Sequence, residues 1–172
     1  RHIEVIKQHL LTLGQIFAKP ALAQQQVAAL DAKVAEAKRI TADRPERALV
    51  VLHNNGAFSS FGVQSRYGFV FTELGVKPAS PTAEAGLHGQ PISSEFIQQA
   101  NPDILYVVDR TAVMEHRPLL NAQTLGNPLL RQTNAWKTGR VVFVDADAWY
   151  VMAASPSSIK QVIADVIQGY QP

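Results

Sequence analysis

The stretch Ala48-Leu-Val-Val-Leu-His53 is apolar at every position up to its last residue and has the length of one β-strand. Two more runs of this kind follow, Ile104–Val108 (ILYVV) and Val141–Val144 (VVFV). A run that is apolar at every position, rather than at alternate positions, is typical of a strand buried on both faces of a sheet. The sequence therefore predicts three buried strands after residue 47.

Helical patterns lie between and after these runs. They are Tyr67–Leu74, which ends at Gly75; a segment capped by Ser93 or Ser94 that ends at Ala100; and a closing helix, Ser158–Gln168. Residues 54–65 and 145–157 are interpreted as loops. Strands that alternate with helices favour an α/β fold, here a Rossmann-like lobe with a parallel sheet and helices on both faces.

Two helices are predicted before the first strand. Residues 2–18 carry an apolar stripe of Ile3, Ile6, Leu10, Leu13 and Phe17, and Lys19-Pro20 breaks the run. Residues 20–41 have only a thin stripe of Val27, Leu30, Val34 and Ala37. A long helix exposed over most of its circumference is typical of a bridge between two bodies. The alternative is an ordinary surface helix that packs on its own domain.

Composition limits the class of protein. The chain has 172 residues, 47% of them hydrophobic, and a formal net charge of +2, which favours one domain and gives no reason to expect a nucleic-acid partner. It has no cysteine, so thiol chemistry and disulfides are excluded. No stretch approaches the roughly 20 apolar residues that span a bilayer, and residues 1–8 do not resemble a signal peptide. Composition alone leaves the compartment open.

In parallel α/β sheets, ligands bind beyond the carboxyl ends of the strands. That rule selects the loops at 54–66, 109–117 and 145–157, which contain Arg66, Arg110 and the Trp149-Tyr150 pair; His88 lies in the intervening Gly86–Gly89 segment. Each residue also has a purely structural interpretation. The arginines can be surface ion-pair partners, with Asp109 beside Arg110; the histidine can be a loop residue; and the aromatic pair can close the core.

Taken together, these residues favour binding over catalysis. Two guanidinium groups at one cleft suit a multiply charged anion, and arginine also stacks on aromatic rings such as a catecholate. Tyrosine and neutral histidine are plausible donors to Fe(III). The chain has no dinucleotide-binding or phosphate-binding glycine loop, no nucleophile elbow and no metalloprotease helix, so we do not expect an enzyme.

The sequence resembles a known family, the class III periplasmic binding proteins of iron-siderophore importers, and is most similar to the catecholate (enterochelin) type. The resemblance covers essentially the whole chain and is carried by Ser60–Phe69, Gly86–Gln90, Ser94–Ile97, Asn101–Arg110 and Asp145–Tyr150. It implies capture of a ferric siderophore without a permanently bound cofactor, and delivery to an ABC permease from the periplasm or from an outward-facing membrane anchor. The alternatives are a haem or corrinoid carrier of the same fold and an α/β nucleotide-binding enzyme domain.

The resemblance also implies residue roles. Arg66 and Arg110 would line the cleft and hold the anionic ferric complex. His88 and Tyr150 would complete the iron shell when the siderophore supplies too few donors. Glu95, in the first turn of its helix, would dock on arginines of the permease.

Members of that family have an N-terminal lobe before the linking helix. By this resemblance, residues 1–18 are the last helix of a missing lobe, residues 20–41 are the interlobe helix and residues 45–172 are the C-terminal α/β lobe. The chain is therefore expected to be a truncated form with half a cleft and no signal peptide. Its exposed half-cleft could pair with a second copy as a homodimer.

Overall fold

A computed structural model describes residues 2–79, 89–110, 127–150 and 156–171. The strands are β1 (Arg47–Asn54), β2 (Ala57–Ser60), β3 (Lys77–Pro78), β4 (Gln90–Ile92), β5 (Ile104–Asp109) and β6 (Val141–Phe143). The helices are α1 (His2–Ile16), α2 (Pro20–Ala42), α3 (Phe69–Thr72), α4 (Ser94–Ala100), α5 (Asn134–Lys137), α6 (Ala146–Tyr150) and α7 (Pro156–Gln168), with a 3₁₀ turn at Leu130–Gln132.

The sheet has the order β4-β2-β1-β5-β6, and β3 pairs with the beginning of β1. Strands β3 and β5 run parallel to β1, and β6 runs parallel to β5. Strand β2 is antiparallel to both of its neighbours, β1 and β4. The predicted α/β class is confirmed, and the three strands predicted from apolar runs form its parallel centre.

The antiparallel strand β2 lies in a stretch that the sequence analysis interpreted as a loop, and that interpretation was wrong. Asn55 and Gly56 have φ values of 53° and 89°, the left-handed pair that a tight two-residue hairpin turn requires. The turn brings Ala57–Ser60 back along β1, with Phe58 opposite His53 and Ser60 opposite Val51. The polar residues around the turn therefore belong to a hairpin.

Helices cover both faces of the sheet, as predicted. Alternate strand residues such as Val50, Tyr106 and Val142 form one cluster with side chains of α1, α2, α6 and α7. The intervening residues, such as Val51 and Leu105, form a second cluster with α4, the 3₁₀ turn and α5. Because both faces are buried, β5 has no exposed position, which explains its continuous apolar run.

The two N-terminal helices form a hairpin, in which α1 packs on α2 and α2 packs on α7. Ile3, Ile6 and Leu10 are buried as predicted, but Leu13 is 49% exposed and Phe17 is 66% exposed. These last two residues lie at the elbow between the helices, where they line an open groove of about 130 Å³ made of α1, α2 and the Lys19 link. Within the described residues, no helix is both long enough and apolar enough to cross a membrane.

Two other predicted boundaries need correction. The helix expected at Tyr67–Leu74 is shorter, and the chain turns at Gly75 with φ 84°. Part of the loop expected at 145–157 is α6, which starts where the Asp145 carboxylate accepts a hydrogen bond from the Ala148 N–H at 3.0 Å. A capping aspartate of this kind satisfies one of the unpaired N–H groups of a helix start, so even a short helix can form there.

Candidate functional site

Two of the predicted site residues that the structure describes lie beyond the carboxyl ends of parallel strands, and a third contacts one of them. Arg66 follows the β1–β2 hairpin, Arg110 follows β5 directly, and α6, which ends at Tyr150, follows β6. His88 lies outside the described residues, so its predicted role stays a prediction. Glu95 is exposed on α4, whose buried Ile97 packs on the sheet face opposite α6.

Arg66 and Tyr150 are in direct contact, although 84 residues separate them. The Arg66 Nη2 donates a hydrogen bond to the Tyr150 carbonyl at 3.0 Å, and the guanidinium carbon lies 5.9 Å from the centre of the Tyr150 ring. A cation that donates to a carbonyl in the last turn of a helix is favoured by the helix dipole. Both side chains are exposed, and the Tyr150 residue is 38% accessible, so this pair faces solvent at the edge of the lobe.

A second tyrosine lies beneath this pair and has a different role. The Tyr67 hydroxyl donates to the Trp149 carbonyl at 3.2 Å, and the Arg66 guanidinium carbon lies 5.2 Å from the Tyr67 ring centre. Burial raises the pKa of Tyr67, and the Tyr150 phenol adds to the rise while Arg66 opposes it. Tyr67 therefore stays a protonated donor at neutral pH, and the exposed phenol of Tyr150 is the one that a ligand can reach.

Aromatic rings form a continuous row under the edge. Phe61 contacts Tyr67 edge-on at 4.9 Å between ring centres, Tyr67 contacts Trp149 at 5.4 Å, and Trp149 stacks near Tyr106 at 6.2 Å. Trp149 and Tyr67 are fully buried. The predicted alternative for Trp149, that it closes the core, is therefore confirmed for that residue, whereas Tyr150 points to the surface.

A buried carboxylate holds α6 in place. Asp165 on α7 is 6% exposed and accepts hydrogen bonds from the Trp149 indole N–H and from the Asp145 backbone N–H, both at 2.9 Å to Oδ2. Its other oxygen accepts from Gln161 at 2.9 Å. Since Tyr150 is the residue after Trp149, Asp165 fixes the helix end to which Arg66 is bonded.

A buried His–Asp pair lies at the ends of the two central strands. The His53 Nδ1 is 3.2 Å from the Asp109 Oδ1, and the Gly56 N–H donates to the His53 Nε2 at 2.9 Å. His53 is 8% exposed and Asp109 is 2% exposed. Asp109 was predicted as a possible ion-pair partner of Arg110, and in the structure its carboxylate lies against His53. Arg110 itself is half-buried at the next position.

Sequence reasoning missed three of the residues that build this edge: His53, Tyr67 and Asp165. His53 carried a weak signal, since it is the polar residue that ends an apolar strand. Asp165 is a single acid within the apolar stripe of a helix, a position where a buried charge needs partners. Among the described residues, no group of three or more histidine, aspartate or glutamate side chains converges on one point that could hold a metal ion.

Comparison with known proteins gives a consistent result. The family profile described as periplasmic binding protein matches residues 1–148. The ferric-anguibactin-binding protein FatB of Vibrio anguillarum is 66% identical over 170 residues, which cover 99% of this chain and 53% of FatB. The petrobactin-binding protein YclQ of Bacillus subtilis is 34% identical, with 99% of this chain and 54% of YclQ covered. The chain thus spans about half the length of the curated relatives it matches.

Solved structures agree in fold. The siderophore-binding protein BauB, bound to a complex between two molecules of acinetobactin and ferric iron, has a TM-score of 0.91 and 66% identity, covering 99% of this chain and 59% of BauB. The periplasmic catecholate-siderophore-binding protein VctP of Vibrio cholerae has a TM-score of 0.90 and 28% identity, covering 97% of this chain and 60% of VctP. These relatives are binding proteins and not enzymes, as the sequence led us to expect. The chain belongs to the periplasmic binding protein family.

Proposed function

We propose that this protein captures an anionic ferric siderophore at the carboxyl edge of its sheet. The observation that carries the proposal is the exposed Arg66–Tyr150 pair, a guanidinium held beside an accessible phenol above buried aromatic rings. Arginine binds carboxylate and catecholate oxygens through paired N–H groups, and it stacks on flat rings. The names of FatB, YclQ and BauB support an iron-siderophore ligand.

We infer further that the ligand is of the catecholate type, and that Arg110 and His88 complete the contacts. VctP, a catecholate-siderophore binder by name, supports this choice. Arg110 directly follows β5, and Arg66 contacts Tyr150 after β6, the strand paired with β5, so two cations would face one multiply charged complex. His88 and Tyr150 would act as donors to Fe(III) when the siderophore leaves coordination positions open.

Trp149 offers a direct assay of this proposal because it is buried next to Tyr150. The chain has two tryptophans, so Trp136→Phe leaves Trp149 as the only indole. In that background, a ferric tetradentate bis-catecholate is expected to quench the emission, and binding is expected to shift the visible charge-transfer band of the complex. Failure of the intact protein to quench or change colour would refute the siderophore assignment.

Three substitutions separate the roles at the site. Arg66→Ala is expected to weaken binding about tenfold or more, since it removes a charge-assisted contact. Tyr150→Phe keeps the backbone carbonyl that Arg66 binds and removes only the phenol, so loss of the charge-transfer shift with quenching retained assigns Tyr150 to iron. Arg131→Ala is the matched control, because Arg131 is in the 3₁₀ turn that precedes β6, whereas Tyr150 follows that strand.

We also propose delivery to an ABC permease, with the protein working outside the cytoplasmic membrane. The family assignment supports this location, and the exposed carboxylate of Glu95 is our candidate for contact with arginines of the permease. Glu95→Arg is expected to abolish uptake by cells while leaving binding of the bis-catecholate unchanged. Gln99→Arg, also exposed on α4, is the control, and equal loss with both variants would argue against a specific role for Glu95.

Finally, we propose that residues 1–18 and 20–41 connect to a second lobe, and that residues 45–172 form one lobe of the whole protein. The exposed apolar side chains at the α1–α2 elbow, Leu13, Ile16, Phe17 and Leu22, support this proposal because an uncovered apolar cluster marks an interface. Phe17→Asp is expected to destabilise the intact protein but not this 172-residue chain.

Pairing of two chains through the exposed half-cleft stays a prediction. Sedimentation of the chain with and without the bis-catecholate tests it.

A further inference from the structure

The buried His53–Asp109 pair has no part in the contacts proposed above, although it lies at the same edge. Both ring nitrogens of His53 are engaged, one with the Asp109 carboxylate at 3.2 Å and the other with the Gly56 N–H at 2.9 Å. An imidazole nitrogen that accepts from an N–H carries a lone pair, so in the neutral ring the proton is on Nδ1 and is donated to Asp109. The two contacts therefore select one tautomer.

The two contacts join parts of the chain that are distant in sequence. Gly56 is in the left-handed turn of the β1–β2 hairpin, and Asp109 ends β5, 56 residues after His53. In the parallel pairing of β1 with β5, His53 lies beside Asp109, and the next residue along the chain is Arg110. On its other side, in the pairing with β2, His53 contacts the Phe58 ring at 5.3 Å between centres.

A catalytic role does not fit this arrangement. A general base needs a nitrogen that reaches a substrate proton, and here both nitrogens are bonded within the protein and the ring is 8% exposed. What the arrangement does is connect the hairpin turn to the end of the neighbouring strand. The bond to Asp109 is buried and is strengthened because water does not compete for it, whereas the bond to Gly56 in the exposed turn is only partly buried.

We propose that His53 is a positioning residue for the ligand-facing edge: it ties the Asn55-Gly56 turn to the end of β5 and so fixes the backbone that carries Arg110. This inference rests on the proposed function, since Arg110 matters only if the edge binds an anion. Fixed supports of this kind, which touch a binding side chain's backbone rather than the ligand, decide how well a charged side chain is held in its productive place.

Two substitutions each keep one of the two hydrogen bonds of His53 and remove the other. The amide nitrogen of His53→Asn reaches the place of Nδ1 and keeps the bond to Asp109, while losing the bond to Gly56. The longer His53→Gln places an amide oxygen where Nε2 accepts from Gly56, and loses the bond to Asp109. In ligand-free protein we expect His53→Asn to speed amide hydrogen exchange of Gly56 about tenfold with residues 108–110 unchanged, and His53→Gln to do the reverse.

The ligand-bound test is a double-mutant cycle. His53→Gln is expected to weaken binding of the ferric bis-catecholate about tenfold, and to cause no further loss when Arg110→Ala is already present. Losses that simply multiply would overturn the proposal, as would an imidazole ¹⁵N spectrum at pH 7 showing the proton on Nε2. The exchange and ¹⁵N measurements need no ligand, so if the wild type does not bind the complex, the proposed function fails while these two results still decide the role of His53.

Discussion

Removal of the Asp165 carboxylate is the perturbation that most directly tests how α6 is held. Asp165→Ala would leave two N–H groups without their acceptor, the buried indole of Trp149 and the backbone of Asp145, which is partly buried. The exposed Gln161 amide would turn to water at little cost. An unsatisfied buried donor costs about 1–3 kcal/mol, so the indole contributes about 2–3 kcal/mol and the backbone group about 1 kcal/mol.

We therefore expect Asp165→Ala to lower the free energy of unfolding by about 3–4 kcal/mol. For a chain of this size the urea dependence is about 2 kcal/mol per M, so the unfolding midpoint should fall by roughly 1.5–2 M. Asp165→Asn keeps one carbonyl oxygen for both donors, and its loss should be only about 1–2 kcal/mol. Urea titrations followed by circular dichroism measure these values, and Trp149 emission in the Trp136→Phe background reports the local environment.

The matched control is Gln161→Ala, which removes the third contact of Asp165 from an exposed position and should cost less than about 1 kcal/mol. A double-mutant cycle of Asp165→Ala with Trp149→Phe should show coupling of about 1 kcal/mol or more, because each substitution removes the bond between the two side chains. If Asp165→Ala unfolds within about 1 kcal/mol of the wild type, the carboxylate does not hold α6 and the reasoning is wrong.

Three other predictions concern Gly75, Ser93 and Tyr170. Gly75→Ala should cost about 2–3 kcal/mol in urea titrations, because φ is 84° and its Cβ would lie 2.6 Å from the Thr41 Oγ1; Gly139→Ala, with φ 73° and no atom within 4 Å, should cost only about 1 kcal/mol. Ser93→Ala should cost about 1 kcal/mol and Ser93→Asn much less, since Ser93 accepts from the Phe96 N–H at 3.1 Å to cap α4. Burial raises the pKa of Tyr170 to about 12, while an unfolded tyrosine ionises near 10. The Tyr170 phenol therefore stays protonated to a higher pH in the native state than in the unfolded state. Its contribution to the free energy of unfolding is complete below about pH 10 and falls by roughly 2 kcal/mol towards pH 12. Tyr170→Phe should flatten this decline.

The central strands and both N-terminal helices were predictable because their signals are local. A strand buried on both faces must be apolar at each position, and β1, β5 and β6 each satisfy that condition over consecutive residues. The hairpin strand β2 was missed although Asn55-Gly56 is a strong turn signal. Its four residues, Ala57–Ser60, include two serines and depend on pairing with β1 and β4 for their structure.

The candidate site was predictable only as a set of residues at one edge. The sheet rule predicted Arg66, Arg110 and Tyr150 beyond the carboxyl ends of the strands; in the structure Arg110 directly follows β5, Tyr150 ends the helix after β6, and Arg66 contacts Tyr150. No sequence pattern indicates that Arg66 binds the backbone of Tyr150 rather than its hydroxyl. That detail matters for experiment, because it makes Tyr150→Phe a clean substitution.

By itself, then, the sequence determined the α/β class, the buried strands and the edge at which polar side chains gather, since each depends on patterns within about ten consecutive residues. Only the tertiary structure decided that Arg66 meets Tyr150, that Asp165 anchors Trp149 and that His53 joins Gly56 to Asp109. Most of these contacts join residues far apart along the chain. Their geometry is set by how helices and strands pack together, and no local pattern of residues encodes it.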